Sequence, residues 1–143
     1  MYDKIMIATD GSENARLAVR HAAELARLTG SSEALIVHVC TSCSVDLDPD
    51  ESNLEAAKEI VREAADVMKE AGLSTTGHVE TAYPPESVGN AIIDIAGSEK
   101  ADLVVLGSRG LSEFKGMLLG SVSSKVVQKT DCPVLVIKGE GQG

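Results

Sequence analysis

Gly107-Ser-Arg-Gly110 and Gly120-Ser121, with nine residues between the two glycine-bounded pieces, are the part of this chain best suited to chemistry. A glycine turn lets several backbone N–H groups approach one anion because no Cβ stands in the way. A helix N-terminus supplies further unpaired donors and the positive end of a dipole. The apolar run Asp102-Leu-Val-Val-Leu106 precedes the first piece, and the helix-like Val122-Ser-Ser-Lys-Val-Val-Gln-Lys129 follows the second. Two such devices joined by a short excursion are the makings of a polyphosphate clamp. Ser121 is placed to cap the helix and offer its hydroxyl, with the N–H groups of Val122 and Ser123 beside it. Arg109, Lys115 and Lys125 are the cations nearby. The pattern is not a Walker A loop, since Gly-x-x-x-x-Gly-Lys-Ser/Thr occurs nowhere, nor is it the Gly-x-Gly-x-x-Gly of a dinucleotide fold.

Asp10-Gly-Ser-Glu13 is a second candidate segment. It reads as a helix cap in which Asp10 or Ser12 accepts from orphan N–H groups. It also reads as a carboxylate for a ribose, or for a Mg2+ bridging phosphate oxygens, a cation that needs one carboxylate because it keeps several waters. Val39 lies where a base could rest on its backbone. His38 beside it reads as a satisfied sheet histidine, and His21 and His78 read as surface residues.

These residues need a scaffold, and the pattern of the chain supplies one. Lys4-Ile-Met-Ile-Ala8, Ala34 to Val39, Thr75 to Ala82, Asp102 to Leu106 and Pro133 to Ile137 read as strands. Helical patterns run from Glu13 to Thr29, Ser52 to Ala71, beyond Pro84-Pro85, and from Ser121 to Lys129. Alternation of this kind predicts an α/β fold: a three-layer α/β/α sandwich around a five-stranded parallel sheet with right-handed crossovers. Ligands bind such sheets beyond the strand C-termini, where strand order reverses. In the order 2-1-3-4-5 that crevice would meet Thr81-Ala-Tyr83, which offers little. In the order 3-2-1-4-5, Asp10-Gly-Ser12 faces Gly107-Ser-Arg-Gly110. The second order is expected, with residues 1–138 as one domain and 139–143 as a flexible tail.

Composition narrows the partners. The 143 residues carry a net charge of −9, which disfavours nucleic acid and anionic membrane, and the 2% aromatic content leaves no stacking platform. No apolar run reaches the ~18–20 residues of a membrane span, and the start Met-Tyr-Asp-Lys leads straight into a strand, so a cytoplasmic protein is expected. Cys40, Cys43 and Cys132 are too sparse for a disulfide scaffold. The acidic stretch Val45-Asp-Leu-Asp-Pro-Asp-Glu51 disfavours a thiolate at Cys40-Thr-Ser-Cys43, so these two read as incidental loop residues. Cys132 reads as a small hydrophobe.

Asp102-Leu-Val-Val-Leu-Gly-Ser-Arg-Gly110, Gly120-Ser-Val122 and Asp131-Cys-Pro-Val-Leu-Val136 closely resemble the signature of the universal stress proteins. Ile7-Ala-Thr-Asp-Gly-Ser12 and Val37-His-Val39 fit the first two strands of that family. Gly-x2-Gly-x9-Gly-Ser is the pattern of its ATP-binding branch. The resemblance implies the order 3-2-1-4-5, adenine near Ala8, Thr9 and Val39, and ribose near Asp10 and Gly107. It implies phosphates on Gly110, Gly120, Ser121, Val122 and Ser123, with Ser108 and Arg109 inside the same motif. It further implies ATP (or AMP or ADP) with Mg2+, a regulatory nucleotide-dependent switch in stress response, and homodimers paired through strand five. A slow Mg-dependent ATP hydrolase is the alternative, although no base is placed to activate water.

Overall fold

A computed structural model describes residues 2–41, 51–108 and 120–139, apart from the side chains of residues 51 and 52. Five strands, β1 (Lys4–Ala8), β2 (Glu33–Cys40), β3 (Ser74–Thr81), β4 (Leu103–Gly107) and β5 (Val134–Ile137), form one parallel sheet. Its order is β3-β2-β1-β4-β5, as expected. The helices are α1 (Glu13–Thr29), α2 (Glu51–Glu70), α3 (Val88–Ser98) and α4 (Ser121–Lys129), with a single 3-10 turn at Pro85–Ser87 before α3.

The central strands read as unbroken apolar runs because both faces of the sheet are covered, and alternate side chains serve opposite layers. Ile5 and Ile7 of β1 join Ile36 and Val105 against Ala18, Ala22 and Met68, on the side of α1 and α2. Met6 and Ala8 join Leu35, Val37 and Val104 against Ile92, Ala96 and Val126, on the side of α3 and α4. Small residues on α1 let that helix lie close to the sheet, and Ser12 and Gly30 cap its two ends. β1 pairs with β2 on one side (Ile7 opposite Ile36) and with β4 on the other (Ile7 opposite Val105). The ends of β1 and β4 therefore open at the same level, next to each other.

β3 is a more polar edge, its residues exposed or half-buried. β5 is the other edge, with Val134, Leu135 and Val136 half-buried. Cys132, just before β5, packs against the α3/α4 layer, and burial pushes its thiol pKa up. Among the described residues no helix is long and apolar enough to cross a membrane.

Candidate functional site

A cavity of about 490 Å³ opens at the C-terminal ends of β1, β2 and β4, within the size range of small-molecule sites. The β1 side of it is built by local bonds. Thr9 N–H donates to the Val37 carbonyl (2.9 Å), carrying the sheet ladder one residue past β1. Gly11 then turns the chain at φ +80°, where its N–H donates to Thr9 Oγ1 (3.2 Å). Asp10 Oδ1 accepts from Ser12 N–H (2.9 Å), and Ser12 Oγ accepts from Ala15 N–H (3.1 Å) to cap α1. Ser12 is thus the cap of α1 and Asp10 fastens the turn before it, with Asp10 and Thr9 left in the cavity wall. His38 Nδ1 lies 2.8 Å from the Thr9 carbonyl. A carbonyl only accepts, so Nδ1 carries the proton and the ring is tied to the β1 turn. It is the satisfied sheet histidine anticipated, and it also lines the cavity.

The opposite side depends on long-range bonds. Ser108 is fully buried, and its N–H donates to the Ile137 carbonyl (2.9 Å) at the end of β5. Its carbonyl accepts from Gly120 N–H (2.7 Å) and from Ser123 Oγ (2.6 Å). The two glycine-serine stretches are therefore fastened to each other. Gly107 is confined from another direction: a Cβ there would stand 2.6 Å from Asn14 Oδ1. The helix begins at Ser121, as expected, but its cap differs from the one expected. Gly120, not Ser121, is its N-cap, because the Gly120 carbonyl already accepts from Ser124 N–H (2.9 Å). Ser121 is the first helical residue, so its hydroxyl does not cap α4.

The α4 N-terminus thus faces the β1 turn across a cavity lined by Asp10, Gly107, Gly120, Ser121, Val122 and Ser123. Residues 1–138 match the universal stress protein family. The chain belongs to that family. A universal stress protein of Methanocaldococcus jannaschii is 33% identical over 142 residues, covering 96% of this chain and 83% of the relative. Two solved structures share the fold at a TM-score of 0.73. One is a universal stress protein in complex with cAMP, 28% identical, with 95% of this chain and 97% of that chain covered. The other, from Archaeoglobus fulgidus in complex with dAMP, is 29% identical, covering 96% and 98%.

In this universal stress protein Ala8, Thr9, Asp10, Val39, Gly107, Gly120, Ser121, Val122 and Ser123 all lie along the one cavity. Ser108 sits beneath it, buried, and holds the wall rather than forming it. Arg109, Gly110 and Lys115 fall outside the described residues. Lys125 lays its stem over Gly89 of α3 and points its ammonium at the Glu86 carbonyl (3.5 Å).

Sequence reasoning missed the walls contributed by other layers: Asn53, Ala57 and Ile60 of α2, and Pro85, Val88 and Ile92 on the far side. Ala57, Ile60, Val88 and Ile92 carry an ordinary helical apolar pattern, which signals burial without saying against what. Cys40, read as an incidental loop residue, is instead disulfide-bonded and lines the cavity at the end of β2. Cys43 lies outside the described residues.

Proposed function

We propose that this universal stress protein binds an adenine nucleotide and acts as a regulatory module whose state follows nucleotide occupancy. The observation that carries the reading is the Ser108 carbonyl, which gathers the Gly120 N–H and the Ser123 hydroxyl and thereby sets the start of α4 opposite Asp10. The relatives solved with cAMP and dAMP support the nucleotide class. In this reading the base lies among Ala8, Thr9, Val37 and Val39, and the ribose lies beside Asp10 and Gly107. The phosphates meet the N-terminal turn of α4, at Gly120, Ser121, Val122 and Ser123, with Gly110 and Arg109 in the same motif.

The start of α4 suits an anion: the backbone N–H groups of a first helical turn and the helix dipole need no lysine cage. Among the described residues no cluster of three metal-ligating side chains exists. Mg2+ would then arrive with the phosphates, held by Asp10 and water, and would neutralise phosphate charge. Asp10 is the one carboxylate in the cavity wall among the described residues, and its Oδ1 is already engaged by Ser12 N–H. That arrangement favours retention of a nucleotide over its hydrolysis, which needs a base aimed at water.

The half-buried apolar edge of β5 supports pairing of two copies through that strand. A Val134→Lys variant is then expected to sediment as a monomer. One 1–138 domain with a short tail completes the reading.

Titration calorimetry with ATP and Mg2+ tests the whole. Binding to the native protein is expected, with affinity reduced at least about tenfold in Gly120→Val, which adds bulk at the N-cap of α4. No heat at millimolar ATP, or unchanged affinity in a folded Gly120→Val, overturns it.

A further inference from the structure

Asn14 is a first-turn residue of α1, yet its side chain leaves that helix for the far side of the cavity. Its Nδ2 donates to the Ile137 carbonyl (3.0 Å), and its Oδ1 lies 3.4 Å from the Ser108 hydroxyl. The same Ile137 carbonyl accepts from Ser108 N–H (2.9 Å). Gly107 leaves room for the carboxamide where any Cβ would collide with it. Ser108 is thus held from one side by Asn14 and Ile137, while from the other it holds Gly120 and Ser123 at the start of α4. A carboxamide donates at one end and accepts at the other, as these two partners require.

We infer that Asn14 is a positioning residue for the phosphate end of the site: it sets Ser108, and through Ser108 the N-terminal turn of α4, and so selects phosphorylated over unphosphorylated nucleosides. The inference rests on the nucleotide reading above. It differs from a plain helix-to-sheet pin, which would loosen the fold everywhere and weaken base and phosphate recognition alike.

The test uses Asn14→Asp, which keeps the shape and removes the donor, setting a carboxylate oxygen against the Ile137 carbonyl. Asn14→Ser, too short to reach both partners, serves if the aspartate variant does not fold. Calorimetry with ATP and with adenosine, and amide hydrogen exchange of the nucleotide-free protein, are the readouts. The expected result is a loss of roughly tenfold or more in ATP affinity, with adenosine affinity within about twofold of the native protein. Exchange at Ser108 and Gly120 should quicken by a similar factor while that of the β1–β2 ladder stays unchanged. Equal losses for both ligands, no loss for either, or unaltered exchange at Ser108 removes the role of Asn14 and leaves the nucleotide reading standing. A native protein that binds neither ligand removes that reading and the phosphate role together.

Discussion

The turn after β1 and the turn after β4 face each other across the cavity, and both place a glycine beside a serine. Their bonds differ in reach. After β1, Thr9 accepts from Gly11, Asp10 from Ser12, and Ser12 from Ala15, all within three residues along the chain. After β4, Ser108 is bonded to Ile137, Gly120, Ser123 and Asn14, partners from three other parts of the sequence. The glycines differ in the same way. Gly11 is required by its left-handed backbone, whereas Gly107 is required by a neighbour. The side-chain bonds within the first turn are local, with Thr9 also tied to β2 through the Val37 carbonyl and His38. The second draws its bonds from α1, β5 and α4, so the phosphate side of the site depends on how those elements meet β4.

Substitution of the two glycines is the strongest way to break this contrast. In Gly107→Ala the new Cβ meets Asn14 Oδ1 at 2.6 Å and the Asn14 backbone carbon at 3.2 Å, so a side-chain rotation alone cannot clear it. Overpacking together with disrupted buried hydrogen bonds is expected to cost about 2–3 kcal/mol in urea unfolding. A cost under about 0.5 kcal/mol would show that the second turn is not governed by its neighbours.

Gly11→Ala is expected to cost less, about 1–2 kcal/mol, chiefly from φ +80°. Its Cβ also meets Ile60 Cγ1 at 2.9 Å, but that contact is with a side chain that can shift. An Ile60→Ala background should therefore relieve only a minor share of the penalty. If it relieved most of it, packing rather than backbone strain would be the reason for Gly11.

The same contrast explains what could be read from the sequence. The limits of α1 were legible because Ser12 and Gly30 act within a turn of themselves. Strand order was legible because, of the two orders compared, 3-2-1-4-5 is the one that brings Asp10 and Gly107 to the same opening, and the register of β1 between β2 and β4 does so. The N-cap of α4 was misplaced by one residue, because Gly120 caps through its backbone carbonyl and offers no capping side chain to read. Asn14 carried no signal at all. In sequence it is a polar residue in a first helical turn, and its partners lie 94 and 123 residues away. The contribution of Ile60 to the cavity was hidden likewise, because a helix stripe that covers a sheet and one that also walls a site have the same spacing.

Within the local turn, Ser12→Ala removes the acceptor for Ala15 N–H in a buried setting. A loss of about 1 kcal/mol is expected from thermal or urea unfolding, the usual value of an N-cap. Amide exchange should quicken at Ala15 and not at Ser108 or Gly120, because the two turns share no hydrogen bond through Ser12. Faster exchange on both sides of the cavity would mean that the turns are coupled more tightly than their bonds indicate.

Asp10→Asn has the smallest expected effect on stability and separates two roles of one side chain. Asn keeps an Oδ1 that can accept from Ser12 N–H as the carboxylate does, so the turn should persist and unfolding should shift by no more than about 0.5 kcal/mol. The negative charge, however, is lost from the cavity wall. If Asp10 meets Mg2+ with the phosphates, the enhancement of ATP binding by Mg2+ should shrink in the variant, while adenosine binding is unchanged. If Asp10 instead serves the ribose, a neutral amide still offers hydrogen bonds, and both ligands should lose a similar small factor with the Mg2+ effect intact. A large loss of stability would put the carboxylate charge, rather than the geometry of its oxygen, at the centre of the β1 turn, and would make that turn as dependent on its surroundings as the one after β4.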